Sequence, residues 1–303
     1  MTGFARCDAA MGPPRQTIFE TGEEAPARAL HAAGLRPNRR RGQNFLVQGA
    51  IADRIVALAD PQAGQWVLEI GPGLGILSQR LLRYPIAKLW LVELDLELAA
   101  RLEGQLVGNF ELLREDFLQL DLSRLGATPK LKVVGNLPFN AATAMLRRLG
   151  RHRSRIEAMV LMFQREVAQR LRASPATPAY GALTLLAALD WEIGEHFRVH
   201  AGSFYPRPKV DAEVLCFRPR PCSVTPLFEQ RLRALIRAGF ASRRKNLRHA
   251  LLDGLCLSDQ QARAALNRAS ISPAERAEHL AMADFVRLTT ALMEMAPAPA
   301  CDA

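Results

Sequence analysis

Asn136-Leu137-Pro138-Phe139 is the stretch of this chain best equipped for chemistry. Asn136 carries a carbonyl acceptor and an NH2 donor pair, and Phe139 carries a flat apolar face. Together they suit a planar base bearing an exocyclic amine. Val133, Val134 and Gly135 lead into them as the end of a buried strand, and Pro138 stops that strand. The same residues also fit a plain capped strand end with Phe139 tucked into the core, so the rest of the chain has to decide.

A second signal lies upstream. Trp66 to Ile70 reads as a short strand running into Gly71-Pro72-Gly73-Leu74-Gly75, with a helical pattern through Ile76, Leu77, Leu81 and Leu82. Strand, glycine loop, helix opens a nucleotide-binding βαβ unit. The next strand, Leu89 to Val92, ends at Glu93 and Asp95, where an acid can accept hydrogen bonds from both ribose hydroxyls. A dinucleotide fingerprint would need its last glycine at position 76, which is Ile76, and no lysine follows to grip phosphates. An acid-led E-x-G-x-G-x-G loop, Glu69 to Gly75, suits a cationic nucleoside without phosphate, and S-adenosylmethionine is such a molecule. A third strand near 110–113 delivers Asp116 and Phe117, which can meet an adenine amine and its face; Asp116 alone could equally be a helix N-cap.

These features demand one framework. Strands at 66–70, 89–92, 110–113, 131–135 and 156–163 alternate with helices, as in a Rossmann-like α/β fold, and ligands in open α/β sheets gather at the strands' carboxyl ends. Strands at 191–198 and 212–218 flank Ser203 to Asp211 and read as an antiparallel closing hairpin. Beyond Pro219 and Pro221 only helices follow, at about 225–239, 243–253, 258–267 and 280–293. The organisation expected is a weakly structured extension over 1–35, with Met11 an alternative start. A Rossmann-like domain with a basic arm follows over 36–220, then a helical domain over 221–293 and a frayed tail over 294–303.

With 303 residues, 49% of them hydrophobic, a sizeable core is available. The formal charge of +10 favours a polyanionic partner, nucleic acid above all. Arg39, Arg40 and Arg41 before a structured loop, and Arg243, Arg244, Lys245 and Arg248 in the helical part, are the candidate phosphate contacts; a solvated charged face is the alternative. The five cysteines are scattered without metal-binding spacing, which predicts reduced thiols, a cytoplasmic location and no metal. No run of about 18 apolar residues predicts a membrane span.

In order along about 36–292, the motifs resemble those of the ribosomal RNA adenine N6-dimethyltransferases, particularly the bacterial small-subunit branch. The matching pieces are Gly42 to Leu46, Glu69 to Gly75, Val92 to Asp95, Gly135 to Asn140, Gln164 to Ala168, Pro206 to Asp211, Phe240 to Leu247 and Ile271 to Leu280. The resemblance implies a methyl donor, S-adenosylmethionine, held by Asn44, Leu46, Gly71, Glu93, Asp116 and Asn136, with Gly73 and Phe117 adjacent. It also implies dimethylation of two adjacent adenosines in the 3′-terminal hairpin loop of small-subunit RNA during ribosome biogenesis. The partner would be the immature 30S subunit and the working form a monomer. Phe139 stands where that family usually has Tyr, and Arg41 where it often has an aromatic residue. The large-subunit adenine methyltransferases share the core motifs and are the alternative; Ile271 to Leu280 and the full helical domain favour the small-subunit branch. A chiefly non-catalytic assembly or transcription factor is disfavoured by the intact Gly71, Glu93 and Asn136, and a nicotinamide enzyme by Ile76.

An adenine N6 amine is a poor nucleophile, because its lone pair is delocalised into the ring, and it is out of reach in a paired stack. Phe139 is therefore expected to stack on an extruded base while Asn136 Oδ1 and the Leu137 carbonyl accept the N6 hydrogens. Pro138 keeps the turn rigid.

Overall fold

The computed structural model describes residues 37, 42–126, 130–221, 224–242 and 245–295. In chain order its first elements are β1 (Phe45–Leu46), α1 (Gly49–Ala59), β2 (Trp66–Ile70), α2 (Ser78–Leu81), β3 (Lys88–Val92), α3 (Leu96–Gln105) and β4 (Phe110–Leu113). Next come β5 (Leu131–Asn136), α4 (Ala142–Arg151), β6 (Ile156–Gln164), α5 (Arg165–Leu171), α6 (Ala182–Asp190), β7 (Trp191–Val199), β8 (Phe204–Tyr205) and β9 (Ala212–Pro219). The chain closes with α7 (Pro226–Phe240), α8 (Leu247–Leu255), α9 (Asp259–Arg268) and α10 (Met282–Met295).

The main sheet has the order β4-β3-β2-β5-β6-β9-β7. Its first five strands are parallel, and β9 is antiparallel to both neighbours. The expected hairpin forms, with its second strand inserted between β6 and the edge strand β7. The reversal of order between β3-β2 and β5-β6 opens the crevice at the carboxyl ends of β2 and β5, where ligands bind in such sheets. Side chains alternate across each strand, so the central strands feed two cores. Leu68, Ile70, Val133, Leu161 and Phe163 fill one. Val67, Leu89, Leu91, Val134 and Met162 fill the other, beneath α1.

The helix after the glycine loop shrinks to α2, because tight turns occupy 73–77. A second, two-stranded sheet joins β1 to β8 in antiparallel register, pairing Phe45 with Tyr205 and Leu46 with Phe204. Two further bonds fix it: Val47 N–H to the Ser203 carbonyl at 2.9 Å, and Ser203 Oγ–H to Gln48 Oε1 at 2.9 Å.

Helices α7 to α10 pack around Leu235, Ile236, Leu251, Leu266 and Phe285, and this core also takes in Tyr180 and Leu185 from before the proline-rich joint. The Tyr180 hydroxyl donates to the Leu280 carbonyl at 2.7 Å. Buried Asp190 and half-buried Glu229 together accept from Arg153 and Arg233, pinning α7 to the end of α6. Helix α8 starts at Leu247, four residues later than expected, because the Asn246 side chain accepts the His249 N–H and caps it there. None of the described helices is long and apolar enough to cross a membrane.

Candidate active site

The site assembles where the sheet order reverses. β2 ends at Ile70, and the Gly71 N–H donates to the Val92 carbonyl at 2.9 Å, folding the loop over β3. Gly71 and Gly73 have φ of +67° and +56°, conformations that side chains rarely adopt. A Cβ on Gly73 would lie 3.0 Å from the Phe45 ring, whereas one on Gly71 would meet no atom within 4 Å. Gly73 thus lets the β1 arm close on the loop, and Gly71 leaves open space in front of its backbone.

Glu93, 6% exposed at the end of β3, organises this corner. One of its oxygens accepts the Gly73 N–H at 3.0 Å and the other the Asp95 N–H at 2.9 Å. Asp95 caps α3 through the Glu97 and Leu98 N–H groups and receives Gln43 Nε2–H at 3.1 Å. Beyond β4, Asp116 Oδ1 accepts the Leu118 N–H at 2.8 Å, and Phe117 is buried beside it. The cavity is lined by these residues, by Gly42 to Phe45 of the arm and by Asn136 to Phe139. Its charged lining side chains are all acidic: Glu93, Asp95, Glu115 and Asp116.

Asn136 ends β5, and its Nδ2–H donates to the Asn44 carbonyl at 3.0 Å. That bond fixes the amide plane and turns Oδ1 away from the arm as an acceptor. The Pro138 carbonyl is taken by the Ala141 and Ala142 N–H groups at 2.9 and 3.0 Å, which lock the turn to the start of α4. Among the described residues no donor is recorded on the Leu137 carbonyl, the remaining acceptor of the turn. Phe139 is half-buried and packs edge-on against Phe204, with centroids 6.4 Å apart at 66°. The plain capped strand end and the base-holding turn are thus not exclusive: one edge of the ring is packed while the residue still lines the cavity.

Burial lifts two carboxyls here. Glu93 is raised chiefly by burial, and its hydrogen bonds from Asp95 and Gly73 work against that. Glu69, 1% exposed behind the glycine loop, is pushed up to about 8 by burial, offset by its bond from Ser78 Oγ at 2.6 Å and reinforced by Glu93. A folded pKa above the unfolded 4.5 means that the native state holds the extra proton, so this stabilisation is full below about 4.5 and lost as pH rises through about 8. Glu69→Gln is therefore expected to flatten the decline of the thermal midpoint between about pH 5 and 9. Scanning calorimetry across that range checks it; a slope unchanged from wild type would show that Glu69 does not titrate there.

Of the residues singled out from sequence, Asn44, Gly71, Gly73, Glu93, Asp116, Phe117 and Asn136 to Phe139 come together around this cavity. Leu46 does not line it. Strand alternation turns the Leu46 side chain into the core under α1, at 2% exposure, and presents its neighbour Phe45 instead. Phe45, Gln43 and Met145 also line the cavity without a role assigned from the sequence, although Gln43 and Phe45 sit in the Gly42 to Leu46 motif; Asp95, the other strand-end acid offered for the ribose, lines it while capping α3. Lys245 and Arg248 lie away from the cavity, ion-paired with Asp253 and Asp259, and Lys245 precedes its helix instead of standing on it. Arg39, Arg40, Arg41, Arg243 and Arg244 lie outside the described residues. Among the described residues no group of three or more His, Cys, Asp or Glu could hold a metal ion.

A sheet of this order with a glycine turn after β2 and an acid closing β3 is a Rossmann-like nucleoside-binding framework, and the family match makes the chain an S-adenosylmethionine-dependent methyltransferase. The chain belongs to the ribosomal RNA adenine dimethylase family, whose profile matches residues 34–294. It is 42% identical over 269 residues to the ribosomal RNA small subunit methyltransferase A of Magnetococcus marinus, covering 87% of this chain and 95% of that one. To the protein of the same name from Syntrophotalea carbinolica it is 39% identical, covering 84% and 96%. Two solved structures share the fold at 24% identity. A dimethyladenosine transferase from Plasmodium falciparum has a TM-score of 0.66, covering 80% of this chain and 95% of that one. The 23S rRNA methyltransferase ErmE has a TM-score of 0.61, covering 82% and 100%.

The residues present fit S-adenosylmethionine. A lining whose charged side chains are all acidic suits a sulfonium and an ammonium and repels phosphate, the space before Gly71 admits a ligand against the backbone, and Glu93 keeps lone pairs for ribose hydroxyls.

Proposed function

We propose that this chain methylates N6 of two adjacent adenosines in the 3′-terminal hairpin loop of small-subunit ribosomal RNA, twice each. It would act as a monomer on the immature 30S subunit during ribosome biogenesis in the cytoplasm. The observation that carries the reading is the Asn136 amide, held by the Asn44 carbonyl with its oxygen free to accept, at the rim of an acid-lined cavity.

S-adenosylmethionine supplies an electrophilic methyl group. Glu93 and Asp116 hold the nucleoside end, with Phe117 beside them, while Gly71 and Gly73 give the backbone close approach. Phe139 offers its exposed face to an extruded adenine, and Phe204 braces the ring from the edge. Asn136 Oδ1 and the Leu137 carbonyl accept the N6 hydrogens, drawing the nitrogen toward tetrahedral geometry and freeing its lone pair. Catalysis is then positioning and electrostatic stabilisation of the developing positive charge on nitrogen, with no strong base required. The surplus proton on the methylated nitrogen leaves to water. A mono-methylated amine keeps one hydrogen for one of the two acceptors, so a second transfer follows the same geometry.

The small-subunit assignment is supported by the names of the relatives that match along most of this chain. Incubating the protein with undermethylated small subunits and labelled methyl donor should place two methyl groups on each target adenosine. In a parallel incubation with undermethylated large subunits, label entering only the large-subunit RNA would overturn the assignment.

A further inference from the structure

Several described cations of the helical region are held by acids: Lys245 by Asp253, Arg248 and Arg263 by Asp259, and Arg287 by Asp284. The sheet edge opposite the catalytic turn differs. There the end of α4, the starts of β5 and β6 and the segment after β9 enclose an open groove of about 510 Å³. Its lining includes Lys130, Arg151, Arg153 and Arg220, with Ser154 and two prolines, and no acidic residue.

Among the described residues only Arg153 of these four cations forms an ion pair, with Asp190 and Glu229. Lys130, Arg151 and Arg220 are exposed, and the bond recorded for the Arg220 guanidinium runs to the Trp191 carbonyl. Alongside, Arg155 donates to the Leu122 and Gly126 carbonyls and Arg148 to the Leu120 carbonyl. A carbonyl satisfies donors but neutralises no charge, so the edge stays strongly positive. His152 lies between them: burial first, and then the Arg148 and Arg155 charges against that of Asp121, hold its imidazole below the usual range.

We infer that this groove binds the phosphodiester backbone of a second RNA segment of the substrate, apart from the segment that carries the target adenosines. Arginine forks match phosphate oxygens two at a time. Apart from the prolines the lining has no large apolar side chain to enter a bilayer or anchor a protein partner. Strand β5, six residues long, separates Lys130 from the Asn136 turn, which at about 3.3 Å per residue places the groove about 20 Å away, at the far edge of the sheet. A stem seated at the turn does not pass through the sheet to that edge, so the phosphates there come from another part of a folded RNA.

This inference rests on the reading that the substrate is RNA. Its test compares wild type with Lys130→Ala/Arg151→Ala/Arg220→Ala for binding to undermethylated small subunits across a salt series. The slope of log affinity on log salt should become shallower by about two to three for the triple variant and by about one for Arg151→Ala alone. KM for subunits should rise at least tenfold with kcat unchanged, while affinity for a short stem-loop carrying the target adenosines stays at the wild-type value. Wild-type transfer to subunits with parallel salt slopes for both variants would overturn the groove alone. Absence of wild-type transfer to any RNA would overturn the functional reading beneath it.

Discussion

Asn136→Ala is expected to lower kcat/KM for methyl transfer by about 10²–10³-fold, the size seen when one preorganised polar group facing developing charge is removed. The loss should fall mainly on kcat, since Asn136 Oδ1 acts on N6 as its charge develops. The folded state should survive, because Asn136 is only half-buried and its recorded side-chain bond is the one to the Asn44 carbonyl. Asn136→Asp separates the two roles of the amide: it keeps an acceptor for N6 and loses the donor that orients it. An intermediate rate is expected for that variant. Phe139→Tyr should stay within a few-fold of wild type because the ring face is unchanged. Phe139→Ala should raise KM by roughly one to two orders of magnitude, the worth of one base–aromatic stack. Steady-state kinetics on small subunits separates these outcomes. A wild-type rate for Asn136→Ala would remove the turn from the mechanism.

Glu93→Ala carries the second large effect, on donor binding. The variant loses the acceptor for the ribose hydroxyls and leaves the Gly73 and Asp95 N–H groups without their partner. Each ribose hydroxyl buried without an acceptor costs about 1–3 kcal/mol on binding, so with two of them S-adenosylmethionine affinity should fall on the order of 10²-fold or more, while the two orphaned N–H groups lower stability. Titration calorimetry with the donor alone measures this without any RNA. Affinity within threefold of wild type would show that the ribose is held elsewhere.

The contrast between these two residues explains what the sequence disclosed. Glu93, Asp116 and Asn136 were legible because each stands at the carboxyl end of a strand whose apolar run is plain, and strand ends in such sheets converge. The grip on Asn136 was not legible. It comes from a backbone carbonyl 92 positions away, placed by a two-residue strand that exists only because Phe204 and Tyr205 pair with it. Two residues carry no periodicity. The same pairing decides that Phe45 and not Leu46 lines the cavity, a one-residue matter of alternation that register alone settles.

The helical region shows the same limit. Its helices are readable from apolar spacing, but the basic run from 243 hides the start of α8, which the Asn246 cap sets at Leu247. That Tyr180 and Leu185 belong to the core of the later helices follows from docking, which composition around Pro219 and Pro221 does not reveal. Basic residues were countable, yet whether each faces an acid or open solvent depends on the packed surface; Lys245 and Arg248 meet Asp253 and Asp259.

The most direct test of the account maps N6,N6-dimethyladenosine by mass spectrometry in small-subunit RNA from cells lacking this protein, complemented with wild type or with Asn136→Ala. Two adjacent dimethylated adenosines near the 3′ end are expected with wild type, and unmodified adenosines both without the protein and with the variant. Full dimethylation in its absence, or with Asn136→Ala, would contradict it.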